Sequence, residues 1–160
     1  MINLCAEIEI QAPAGRCFDL ARSVDLHVES STLIKGRAVA GRTSGLAELH
    51  DKTTWSARFF GLRFQLTTEI VELTRPEAFS DVLCDGLFRH FGHLYTFRRI
   101  APAVTMMRDD FSFESPGGPA GRVLDSYLLR RHMHAQLDHR ARYIKRVAES
   151  DDFHRFLGAT

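Results

Sequence analysis

Apolar and polar positions alternate with period two over most of the chain. NLCAEIEIQA, from Asn3, sets Leu4, Ala6, Ile8 and Ile10 against Cys5, Glu7, Glu9 and Gln11, the pattern of a half-buried strand. The pattern then changes. Pro13 stands where a first helical turn tolerates it, Cys17, Phe18 and Leu20 or Ala21 follow at helical spacing, and Ser23 is a candidate N-cap for a second short helix over VDLHVESS. In KGRAVAGRTSG, the glycines Gly36, Gly41 and Gly45 mark turns or an irregular strand.

From Asp51 the chain is strand-like again. DKTTWSARFF and LRFQLTTEIVEL meet at Gly61, a hairpin in which Phe59 is expected to face Phe64, and Trp55 to face Thr68. FSDVLC is expected to turn at Asp85-Gly86 into RHFGHLYTF, which ends near Ala101-Pro102 and returns as VTMMRDDFSFE. That turn pairs Phe97 with Met107, Tyr95 with Asp109, His93 with Phe111 and Phe91 with Phe113. After SPGGPAG, apolar residues recur at helical spacing. Val123, Leu124, Tyr127 and Leu128, then Met133, Leu137, Ala141 and Ile144, predict one long amphipathic helix from about Gly121 to about Glu149. The tail DDFHRFLGAT extends this helix or folds back through Phe153 and Phe156.

The bulk composition narrows the function classes. A chain of 160 residues, expected to form a single domain over 1–160, buries about 70% of its unfolded surface. Its 21 basic residues are offset by 20 acidic ones, a net charge of +1, so nucleic acid is not an expected partner. Cys5, Cys17 and Cys84 have neither disulfide nor zinc spacing and read as small hydrophobes in a reducing compartment. MINLCAEIEI lacks a basic n-region, and no run approaches a membrane span, so a cytoplasmic chain without stable membrane insertion is expected. No cofactor is expected and no metal site either. His90 and His93 fall on opposite faces of a strand, and His132 and His134 diverge on a helix.

The segments APAGRCFDLARSVDLH, RAVAGRTSGL, TTWSARFFG, FRHFGHLYTF, MMRDDFSFESPGG and IKRVAES together span nearly the whole chain. In them the chain resembles the SRPBCC superfamily, the START-like and birch-pollen-allergen-like proteins, and more narrowly its bacterial stand-alone ligand-binding or cyclase/dehydrase-like members. The resemblance implies an α+β helix-grip fold, a curved antiparallel sheet of about seven strands around a long C-terminal helix, with two short helices after the first strand. It does not name a function, because the superfamily includes lipid carriers, hormone receptors, polyketide aromatase/cyclases and oxygenase subunits. One departure is GLAELHD, where relatives read closer to GLIGLGD; it sets His50 at the expected rim of a pocket.

In this arrangement the inward sheet face looks into a space covered by the long helix. The expected lining is Trp55, Phe59, Phe64, Leu66, Phe91, His93, Tyr95, Phe97, Met107, Asp109, Phe111 and Phe113, with Met133 and Leu137 from the helix. With 12 phenylalanines in the chain, a cavity on the order of 300 Å³ is expected, of the size that takes a small hydrophobic ligand such as a lipid, a quinone-like or a polyketide-like compound. His93, Tyr95 and Asp109 either orient that ligand, act as the acid–base groups of a cyclase or dehydratase, or satisfy one another in a filled core. A third function class is a protein-interaction module tuned by its ligand through the Arg-rich helix face.

Overall fold

In the computed structural model, which describes residues 1–59, 61–119, 123 and 125–158, β1 (Ile2–Ile10) leads into α1 (Ala14–Ala21) and α2 (Val24–Ser30). Pro13 caps α1, and the Ser23 hydroxyl accepts from the Leu26 amide at 3.3 Å at the start of α2. Six further strands follow: β2 (Arg37–Gly41), β3 (Lys52–Phe59), β4 (Leu62–Thr74), β5 (Ala78–Gly86), β6 (His90–Ala101) and β7 (Val104–Glu114). They form one open, curved antiparallel sheet with the order β1-β7-β6-β5-β4-β3-β2.

The β6–β7 register is the one that the alternation predicts: Phe97 opposite Met107, Tyr95 opposite Asp109, His93 opposite Phe111, Phe91 opposite Phe113. The β3–β4 hairpin is tighter than expected. Phe59 pairs with Leu62 and Trp55 with Leu66, on a turn at Gly61, whose φ is 81°. The slip is two residues, an even number, so the inward face is unchanged. The Asp85-Gly86 turn is also displaced. β5 runs on through Gly86, which pairs with Leu66 of β4, and β5 meets β6 only from Ala78–Thr96 to Val82–Gly92.

The long helix lies across the concave face. It opens with a π-helical turn, Asp125–Leu129, and continues as α3 (Arg130–Ala148); the expected start near Gly121 lies outside the described residues. Its stripe differs at the N-terminal end from the expected one. Val123, Tyr127 and Leu128 are exposed, and Leu129 is buried in line with Met133, Leu137, Ala141 and Ile144. A π turn carries one more residue than an α turn, so it moves the apolar face by one position. Asp151–Phe153 and α4 (His154–Leu157) then fold the tail back, and the Arg16 guanidinium lies 3.8 Å above the Phe153 ring. Among the described residues no helix is long and apolar enough to cross a membrane.

The buried side chains fall into two clusters. One lies under α1 and the C-terminal half of α3 and contains Ile10, Phe18, Phe79, Tyr95, Phe97, Met107 and Ile144. The other joins Leu4, Ala57, Phe59, Phe111 and Phe113 to Leu129, Met133 and Leu137. Polar groups occupy the space between the clusters.

Candidate functional site

β6 and β7 supply the first of these polar groups. Alternation turns His93 and Tyr95 inward from β6 and Asp109 and Phe111 inward from β7. Asp109 sits diagonally across from His93, and its carboxylate meets His93 Nδ1 at 2.8 Å, both side chains being buried. A carboxylate can only accept here, so Nδ1 carries hydrogen and Nε2 is the ring's other functional nitrogen. From β5, Asp81 Oδ1 accepts from the His93 backbone amide at 3.2 Å. Aromatic stacking holds the row in place: the His93 ring lies 4.3 Å from Phe111 and 5.6 Å from Tyr95, and Tyr95 lies 4.6 Å from Phe79.

The helix supplies the rest. Gln136 and Arg140 stand one turn apart on the buried face of α3, only 4% and 5% exposed. Arg140 Nη1 donates to the Tyr95 hydroxyl and Nη2 meets His27 Nε2, each at 3.0 Å. Gln136 Nε2 donates to the Ser30 carbonyl at 2.8 Å. His27, on α2, stacks on Trp55 at 4.2 Å, and the Trp55 indole donates to Thr68 Oγ1 at 3.1 Å. Two buried polar atoms, Arg140 Nε and Gln136 Oε1, meet no hydrogen-bond partner among the described residues.

Burial, and then the neighbouring Arg140 charge, hold His27 well below the usual imidazole range, so it accepts from Arg140 as the neutral ring. Burial, reinforced by the Asp109 charge, pushes the Tyr95 phenol up, so it keeps its proton. Burial also raises the Asp81 carboxyl, against the opposing influence of His93. Burial works against the Arg140 charge as well, but Tyr95 and Asp109 outweigh it and hold that guanidinium above its usual value.

This cluster closes one end of a cavity of about 60 Å³ between sheet and helix. Trp55, Phe59, Leu66, Phe91 and Phe111 line it from the sheet with His93, and Met133 and Leu137 from the helix. A second cavity of about 40 Å³ shares His27, Trp55, Asp81 and His93 with it and reaches Tyr95. The inner space is thus far smaller than the expected 300 Å³ scale. His27, Gln136 and Arg140, unrecognised in the sequence, project into it. A larger apolar groove of about 270 Å³ lies farther out, lined by Phe59, Phe64, Leu87, Phe88 and Leu129.

The other expected lining residues take different places. Phe64 belongs to the outer groove. Asp109 is buried behind His93, and Phe113 packs in the cluster under Met133 and Leu137. Phe97 and Met107 lie in the closed core under α1. His50 is exposed and meets Glu69 at 3.3 Å, away from these cavities. Among the described residues no group of three or more His, Cys, Asp and Glu side chains is placed to hold a metal ion.

Solved structures share this architecture at low sequence identity. A protein from Thermus thermophilus superposes with a TM-score of 0.73 at 16% identity, over 91% of this chain and 95% of the other. A START superfamily protein from Mycobacterium smegmatis gives 0.68 at 13% identity, over 92% and 97%. The fold is the helix grip. Another helix-grip protein, the Zhui aromatase/cyclase from Streptomyces sp. R1128, gives 0.68 at 11% identity, over 94% and 97%. No protein-family model matches the chain, and no curated protein matches it. At these identities the helix grip fixes the scaffold, and the site must be argued from its own residues.

Proposed function

We propose that this protein binds a small hydrophobic molecule non-covalently between the sheet and α3, a ligand of the lipid, quinone-like or polyketide-like kind, in the cytoplasm. The observation that carries the reading is a mostly apolar cavity whose wall carries a few polar groups. Phe59 lines both the outer apolar groove and the inner cavity, and Arg140, Gln136 and His27 line the inner one. An apolar space with a few convergent polar groups suits a ligand with an apolar body and one polar end. At about 60 Å³ the inner cavity is the smaller of the two spaces, so it accommodates a functional group and the groove of about 270 Å³ the body. Free Cys5, Cys17 and Cys84 are consistent with a reducing compartment. The test is titration with 2-methylnaphthalene followed by its fluorescence, beside native mass spectrometry of the protein purified from its own host. Saturable binding that Leu137→Trp abolishes is expected, because the indole fills the inner end. Absence of binding by 2-methylnaphthalene and by its polar-ended naphthalene analogues alike, or binding unchanged in Leu137→Trp, rejects this site.

A second reading rests on the His93–Asp109 pair. An imidazole oriented by a buried carboxylate and lining a cavity has the geometry of a general base for a cyclase or dehydratase. In that reading Tyr95 is not the acid, since its hydroxyl accepts from Arg140 and its proton is held more tightly than usual. Turnover of a polyketide-like substrate that His93→Gln abolishes without weakening ligand binding would favour the enzyme over the carrier.

A further inference from the structure

Two unpartnered atoms in the same cavity wall are of opposite kind. Arg140 Nε–H is a donor and Gln136 Oε1 an acceptor; both side chains are at least nine-tenths buried, and both line the cavity. Each other polar atom of the two side chains has a partner. The Arg140 Nη groups serve Tyr95 and His27, and Gln136 Nε2 serves Ser30. Leaving a buried donor and a buried acceptor unmade one helical turn apart is costly unless a third party completes them.

The charges around Arg140 limit what that third party can be. Arg140 makes no ion pair among the described residues, yet Asp81 and Asp109 both act on it electrostatically, and its direct partners Tyr95 and His27 are neutral. Asp109 meets His93 at 2.8 Å, and Asp81 and Asp109 both act on Arg140, so carboxyl groups already stand around its charge and a further anion would meet them.

We propose that this end of the cavity recognises a neutral group presenting a hydrogen-bond acceptor beside a donor, such as a primary carboxamide or an enolised hydroxy-ketone, with the acceptor on Arg140 Nε–H and the donor on Gln136 Oε1. The inference rests on the ligand-binding reading above and narrows it to a chemical class. A hydrocarbon, which offers neither partner, and a carboxylate, which offers acceptors only and brings charge, should both be disfavoured.

The test uses the full chain and three naphthalene probes of one shape: 2-naphthamide, 2-naphthoate and 2-methylnaphthalene, each titrated at neutral pH. The amide should bind at least roughly tenfold tighter than either of the others, since two buried hydrogen bonds separate it from the hydrocarbon, and one hydrogen bond and a charge separate it from the carboxylate. In Gln136→Met and Arg140→Lys the readout is the ratio of amide to hydrocarbon affinity, and each variant should bring it towards one. The ratio in the parent protein alone decides the matter if a variant fails to fold. Equal binding of amide and hydrocarbon overturns the inference and leaves the ligand-binding reading standing. Tightest binding of naphthoate makes this an anion site and overturns it too. A ratio that survives in both variants places recognition elsewhere. Binding of none of the three removes both readings together.

Discussion

At the residue scale the site depends on buried groups that complete one another. Asp109→Ala strips His93 Nδ1 of its acceptor in a place that water scarcely reaches, and should cost about 1–3 kcal/mol in urea unfolding. His27 sets an acid limit. Its folded-state pKa is depressed, so the unfolded chain binds the extra proton first, and the stability due to neutral His27 is present above about pH 6.5 and falls away below it. Melting temperature should therefore drop between pH 7 and pH 5, and His27→Gln should flatten that slope; an unchanged slope would place the acid sensitivity in another group. Of this cluster, His93, Tyr95 and Asp109 were legible from alternation in β6 and β7. Arg140, Gln136, His27 and Asp81 were not. An arginine on a helix dense in arginine ordinarily faces water, yet Arg140 lies three residues after Leu137 and four before Ile144, in phase with the buried stripe. That phase was the signal, and residue type concealed it.

At the element scale, α3 is held by one row of side chains. Ile144 is fully buried, so Ile144→Ala should cost about 2–5 kcal/mol by chemical denaturation. Tyr127 is 80% exposed, so Tyr127→Ala should stay within about 0.5 kcal/mol of the parent. The sequence pattern places both residues in one stripe, and the contrast between them measures the shift that the π turn introduces. A trace of that shift is readable beforehand: Leu128 precedes Met133 by five residues, about 140° round a straight α-helix, whereas Leu129 precedes it by four, about 40°. The β6–β7 pairing was legible because Pro102 pins its turn and each face has its own character. The β3–β4 pairing was not, because Thr and Phe recur on both strands and a two-residue slip leaves the pattern intact.

At the scale of the whole molecule, the sheet needs the helix and the helix needs the sheet. A chain ending at Pro119 lacks Met133, Leu137 and Ile144 and exposes Phe59, Phe97 and Phe111, so it should lose its cooperative melting transition; a sharp transition in calorimetry would contradict this. The brief union of β5 and β6 has a consequence of its own. Five residue pairs join these strands, against nine between β1 and β7, and beyond Val82–Gly92 each strand follows its other neighbour. The sheet is therefore two leaves on a short spine. One leaf carries His93, Tyr95, Asp109 and Phe111, the other Trp55, Phe59, Leu66 and Asp81. The interior volume follows from how far the leaves are spread, as with a half-open book, so under the proposed binding function the size of guest becomes a property of the binding rather than of the pages.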